Sequence, residues 1–96
     1  MSGINNKKIQ EEIEQQIKLL YFRFPQELQI YDQLMKKHPE YKTQLLIQRL
    51  KFTGHFIESA SKLSILGYYT PNKAQNNMIL GALDQLTLVV EALRRD

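Results

Sequence analysis

The chain has no cysteine and no tryptophan, only four glycines and three prolines, and no apolar run approaching membrane length. Without cysteine there is no disulfide, no thiolate zinc site and no thiol nucleophile. Without a run near 20 apolar residues nothing is expected to span a bilayer. The four glycines, Gly3, Gly54, Gly67 and Gly81, stand alone, so no glycine-rich loop exists to cradle a phosphate. The two histidines, His38 and His55, have neither a second imidazole nor a carboxylate at the i,i+4 spacing that metal ligands favour on a helix. No metal and no cofactor is expected. The first residues, MSGINNKKIQEEIEQQ, lack the apolar stretch of a secretory signal, and their early glutamates are foreign to a transit peptide. A soluble, cytoplasmic protein is the expectation.

What is present suits a packed globule. Of 96 residues 43% are hydrophobic and 24% charged, which fits one folded domain spanning 1–96. The net charge of +3 is unevenly placed. Positions 33–73 hold Lys36, Lys37, Lys42, Arg49, Lys51, Lys62 and Lys73 against Glu40 and Glu58, while the segments on either side are mildly acidic. A basic middle favours acidic partners.

The pattern is helical throughout. No β-hairpin dipeptide, sustained alternation or repeat interrupts it. Pro25, Pro39 and Pro71 each stand where a helix could begin, since the first helical position needs no amide donor. Thr70–Pro71 is read as a capped start, and Gly67 as a left-handed C′ stop. The reading is an all-α, three- or four-helix bundle with helices at about 4–24, 26–37, 40–66 and 71–95. Whether 4–37 forms two helices or one running through Pro25 stays open, because Phe24 before proline is pushed away from α geometry.

Within the first segment Ile9, Ile13, Ile17, Leu20 and Phe24 form a narrow apolar stripe. The segment 40–66 differs. Gln44, Gln48, Lys51, His55, Glu58 and Lys62 make one polar ribbon, and most of the remaining circumference is apolar. Such a rod must be contacted from several directions, by its own chain or by a second one. In 71–95, Ile79, Leu83, Leu86, Val90 and Leu93 form a packing seam. Leu80 and Leu88 lie off it as candidate oligomer contacts. Leu50, Ile57 and Leu86 are read as core positions. Gly54 and Gly81, each costing about 1 kcal/mol in a helix, are expected to permit close approach of a neighbouring backbone.

Several constellations bear on chemistry. Arg49 and His55, with five residues between them, resemble the RNase motif of HEPN domains. That resemblance implies an arginine stabilising a phosphoryl oxyanion and a histidine moving a proton, although Leu50 replaces the motif's polar residue. The two also point about 120° apart on a helix, so the plain alternative is an exposed His55 and an Arg49 paired with a carboxylate. An exposed mid-helix His55 is similar to the phosphoacceptor of histidine phosphotransfer domains, but Glu58 and Ser59 stand where lysine and glycine belong. Leu20-Tyr21-Phe22-Arg23 resembles the signature of the short LYR adaptors with one phenylalanine inserted. Finally, Lys36, Lys37, Lys42, Lys51 and Lys62 are candidate contacts for a protein partner or for nucleic-acid phosphates. The function expected is that of a non-enzymatic helical interaction protein, a small subunit, adaptor or accessory factor that self-associates or joins a complex. The alternatives are a nucleic-acid-binding accessory protein using 36–62 and an RNase using Arg49 and His55.

Overall fold

The computed structural model describes residues 2–95, with side chains from Lys7 to Arg95. Among the described residues there are three α-helices and no strand: α1 Ser2–Lys37, α2 Lys42–Ile65 and α3 Lys73–Arg95, with a 3-10 turn at Pro39–Tyr41. The two N-terminal segments, 4–24 and 26–37, are thus one helix of 36 residues with Pro25 inside it. Proline removes the N–H that would bond the Tyr21 carbonyl and costs about 3 kcal/mol in a helix interior. Phe24 and Leu28, flanking Pro25, are both buried in the core. Their packing offsets the lost bond.

The expected rod 40–66 also shifts. Its first turn is the 3-10 helix begun by Pro39, with the Tyr41 N–H donating to the His38 carbonyl at 3.0 Å, and α geometry starts at Lys42. The helix ends as the glycine predicts. Gly67 adopts φ +79°, its N–H donates to the Ser64 carbonyl and the Tyr68 N–H to the Leu63 carbonyl. This pair of bonds is a Schellman motif. α3 begins two residues later than Thr70–Pro71 suggests. Asn72 is the cap: its Oδ1 accepts the Gln75 N–H at 2.8 Å, and Gln75 Oε1 accepts the Asn72 N–H at 2.9 Å. The reciprocal capping box outweighs the proline signal because it satisfies two orphan donors.

The core is small and aromatic. Phe24, Leu28, Phe56 and Ala82 bring all three helices together, with Leu20, Tyr21, Phe52, Ile57, Met78 and Ile79 around them. Phe24 stacks on Phe56 at 3.9 Å between centroids and on Phe52 at 6.0 Å, and Tyr21 meets Phe56 edge-on. Leu50, Ile57 and Leu86 are only half-buried. In the apolar stripe of α1, Ile13 and Phe24 are buried but Ile9 is exposed. α2 ends alongside Gln16, with which Lys62, Leu63 and Leu66 line one cleft. The first turns of α1 therefore run past it, and the Cα trace measures 57 × 22 × 19 Å.

Gly54 and Gly81 do not serve close approach: a Cβ at either would meet nothing within 4 Å. With no packing to compensate their backbone freedom, Gly81→Ala is expected to raise stability by about 1 kcal/mol. Urea unfolding measures this; an unchanged or lower midpoint would show that a Cβ at position 81 is not tolerated.

Candidate functional site

Between α1 and α2 an open cleft of about 300 Å³ is walled by Gln16, Leu19, Leu20 and Arg23 of α1 and by Phe52, His55 and Ser59 of α2, with Phe24 and Phe56 beneath. Through Gln16 and Ser59 it adjoins a section lined by Lys62, Leu63 and Leu66. Toward the α1–α2 turn a second cleft, about 400 Å³, is lined by Leu34, His38, Tyr41, Gln44, Leu45 and Gln48. From Tyr41, just before α2, to Leu66, just after it, the lining positions Tyr41, Leu45, Gln48, Phe52, His55, Ser59, Lys62 and Leu66 recur at spacings of 4 and 3, one face of a helix. Leu19 and Tyr41 are exposed although apolar.

Part of the polar ribbon of 40–66 therefore borders these clefts. Gln44, Gln48, His55 and Lys62 line them, and Lys51 and Glu58 do not. The cation that lines the same cleft as His55 is Arg23, contributed by α1. Arg23 also lies 3.9 Å from Glu27 one turn on. Arg49 faces elsewhere. Its side chain is only 13% exposed, and its Nε lies 3.3 Å from Asp32 Oδ1 of α1. That Nε makes no aligned hydrogen bond, so the contact is a charge pair. The structure thus sets Arg49 against a carboxylate and leaves His55 exposed, and the two do not share the cleft.

The five lysines do not converge. Lys36 and Lys42 share a cleft with Asp32, Met35 and Leu46 at the α1–α2 corner. Lys62 lies 20 positions beyond Lys42 on α2, about 30 Å away at 1.5 Å per residue. Lys37 and Lys51 are exposed and line none of these clefts. On α3, Leu80 and Leu88 are 59% and 64% exposed. Leu83, which the seam placed inside, is exposed as well. Among the described residues no group of three His, Asp or Glu side chains could hold a metal, and no helix is long and apolar enough to cross a membrane.

One polar pair escaped sequence reading. The hydroxyls of Tyr21 on α1 and Tyr69 in the loop 66–72 hydrogen-bond to each other and pin that loop to α1. Burial first, then the bond and the electrostatic influence of Tyr69, pushes the Tyr21 hydroxyl well above the ordinary tyrosine range. The folded chain then holds this proton more tightly than the unfolded chain, whose tyrosine titrates near pH 10. The contribution is complete below about pH 10 and is lost as pH rises through the folded value. Urea midpoints measured from about pH 8 upward should therefore fall on the alkaline side, and less steeply in Tyr21→Phe. Identical slopes for the two proteins would remove this role.

Comparison with protein-family models, curated proteins and solved structures finds no match to this chain.

Proposed function

We propose that the protein is a non-enzymatic helical interaction module, a small subunit or adaptor whose surface is completed by another chain. The observation that carries this reading is surface area. A compact monomer of 11.3 kDa exposes about 5,700 Å², whereas this chain exposes 7407 Å². Its elongated shape accounts for part of the difference, but the composition of the excess matters more. Leu19, Phe22, Ile30, Ile65, Leu80 and Leu88 are all exposed, and Ile65 reaches 85%. Singly exposed leucines are ordinary; apolar side chains left bare on all three helices mark interaction surfaces.

The nucleic-acid alternative receives less support. Its affinity would come from phosphate contacts made by a continuous cationic track, and the lysines are dispersed, with Lys36 and Lys42 beside Asp32. The RNase reading needs Arg49 and His55 around one phosphate, and Arg49 is engaged with Asp32.

Sedimentation velocity of the purified chain, together with recovery of whatever co-purifies with the native protein, tests the proposal. The expected result is a species heavier than one chain, or a stoichiometric protein partner. A well-folded monomer at all concentrations, with no partner recovered, overturns it.

A further inference from the structure

Two apolar surfaces of this chain lack a partner, and they complement each other. The first is the α1/α2 cleft. Its floor is Phe24, Phe52 and Phe56, its cations are Arg23 and Lys62, and His55 lies between them. No acidic side chain lines it among the described residues. The second is the outer strip of α3, opposite the face that packs Met78, Ile79 and Ala82 into the core. Leu80 and Leu88 are exposed there, beside the exposed Asp84 and Glu91. Between Asn77 and Glu91 the sequence holds these two acids and no basic residue.

We infer that the cleft receives the outer strip of α3 from a second copy of this chain, so that copies join head to tail. The inference rests on the interaction reading above and names its occupant. Two observations select a second copy. Charge is the first: a strip bearing two carboxylates meets an apolar cleft bearing cations, which fixes partner and register more than it adds affinity. Length is the second. The joined cleft follows α2 from Phe52 to Leu66, about 21 Å at 1.5 Å per residue, and the stretch of α3 from Asn77 to Glu91 that carries the exposed leucines and both acids is also about 21 Å long.

The two surfaces are different patches of one molecule, so the contact is heterologous. Copies then close into a ring or extend as a chain; they do not stop at a two-fold dimer through this contact.

The test uses full-length chains altered only at exposed positions, each checked for an unchanged far-ultraviolet circular dichroism spectrum. Leu19→Lys spoils the cleft and Leu88→Lys spoils the strip. The wild type is expected to grow in mass with concentration, and each variant alone to associate about tenfold more weakly or worse. Mixed in equal amounts, the two variants should form a complex of two chains and nothing larger, because one intact cleft and one intact strip remain. Arg23→Glu and Asp84→Arg should each weaken association, and together in one chain restore it.

A wild type that associates undiminished by Leu19→Lys and Leu88→Lys overturns the head-to-tail contact and leaves self-association standing. Variants that stay monomeric when mixed overturn it too. A wild type that is monomeric at every concentration while a foreign protein co-purifies overturns the second copy as occupant and leaves the interaction reading intact.

Discussion

Replacing Phe56 by alanine is expected to remove about 3–5 kcal/mol of stability, the largest loss any single truncation in this chain should produce. Phe56 is 2% exposed and lies between the stacked ring of Phe24 and the edge of Tyr21. The transfer term alone would be smaller. What raises the cost is the hole, because the cluster around it joins all three helices: Phe24 and Leu28 from α1, Phe52 from α2, and Ala82 from α3. No one side chain can move in without uncoupling another helix, so the cavity stays open. The rest of the core offers little in reserve. Besides Phe24, Leu28, Phe56 and Ala82, the buried apolar side chains among the described residues are Ile13 and Ala60. For a domain whose total stability falls in the usual range of about 5–15 kcal/mol, Phe56→Ala should leave a marginal fold. Urea unfolding followed by circular dichroism checks it, with Ile57→Ala as the control one position away. Ile57 is half-buried and should cost clearly less. Equal losses at 56 and 57 would show that the aromatic stack is not the centre of the packing.

How far the sequence reveals this arrangement depends on whether the deciding contact is local. Gly67 was legible because a left-handed C′ position is set by one residue and closed by bonds to its own helix. The start of α3 was equally local, yet Pro71 drew attention from Asn72 and Gln75, whose spacing is that of a capping box. Pro25 is the opposite case. Locally it reads as a break, and only the burial of Phe24 and Leu28 against another helix makes the unbroken course favourable. The exposure of Ile9 has the same origin, since it depends on where α2 stops along α1. The breadth of the apolar arc on 40–66 was visible, and so was the position of Leu80 and Leu88 off the α3 seam. The cleft was not visible. The cation that shares it with His55 is Arg23, 32 positions earlier, whereas chain proximity suggested Arg49. The wheel angle between Arg49 and His55 already separated them, and that signal anticipated the pairing with Asp32.

The second large effect should come from adding atoms. Ala60 is 0% exposed and stands one turn after Phe56 on the same face of α2. By hydrophobicity Ala60→Leu is favourable and by helix propensity nearly neutral. Packing decides against both. A fully enclosed alanine leaves no direction in which three further carbons can reach solvent, so the isobutyl group must take an off-rotamer pose or push α2 from its neighbours. Overpacking of this kind costs about 1–3 kcal/mol. For a chain of this size each kcal/mol lowers the melting temperature by about 4–8 °C, so a fall of about 10 °C is the expected reading. The same contact makes a sharper demand on the pair of variants. If the space at 60 adjoins the space at 56, the leucine can grow into the hole that Phe56→Ala leaves. The double variant Phe56→Ala/Ala60→Leu should then be more stable than the sum of the two single losses by about 1 kcal/mol or more. Strict additivity would mean that the two side chains occupy separate pockets, and that α2 is held by two independent contacts.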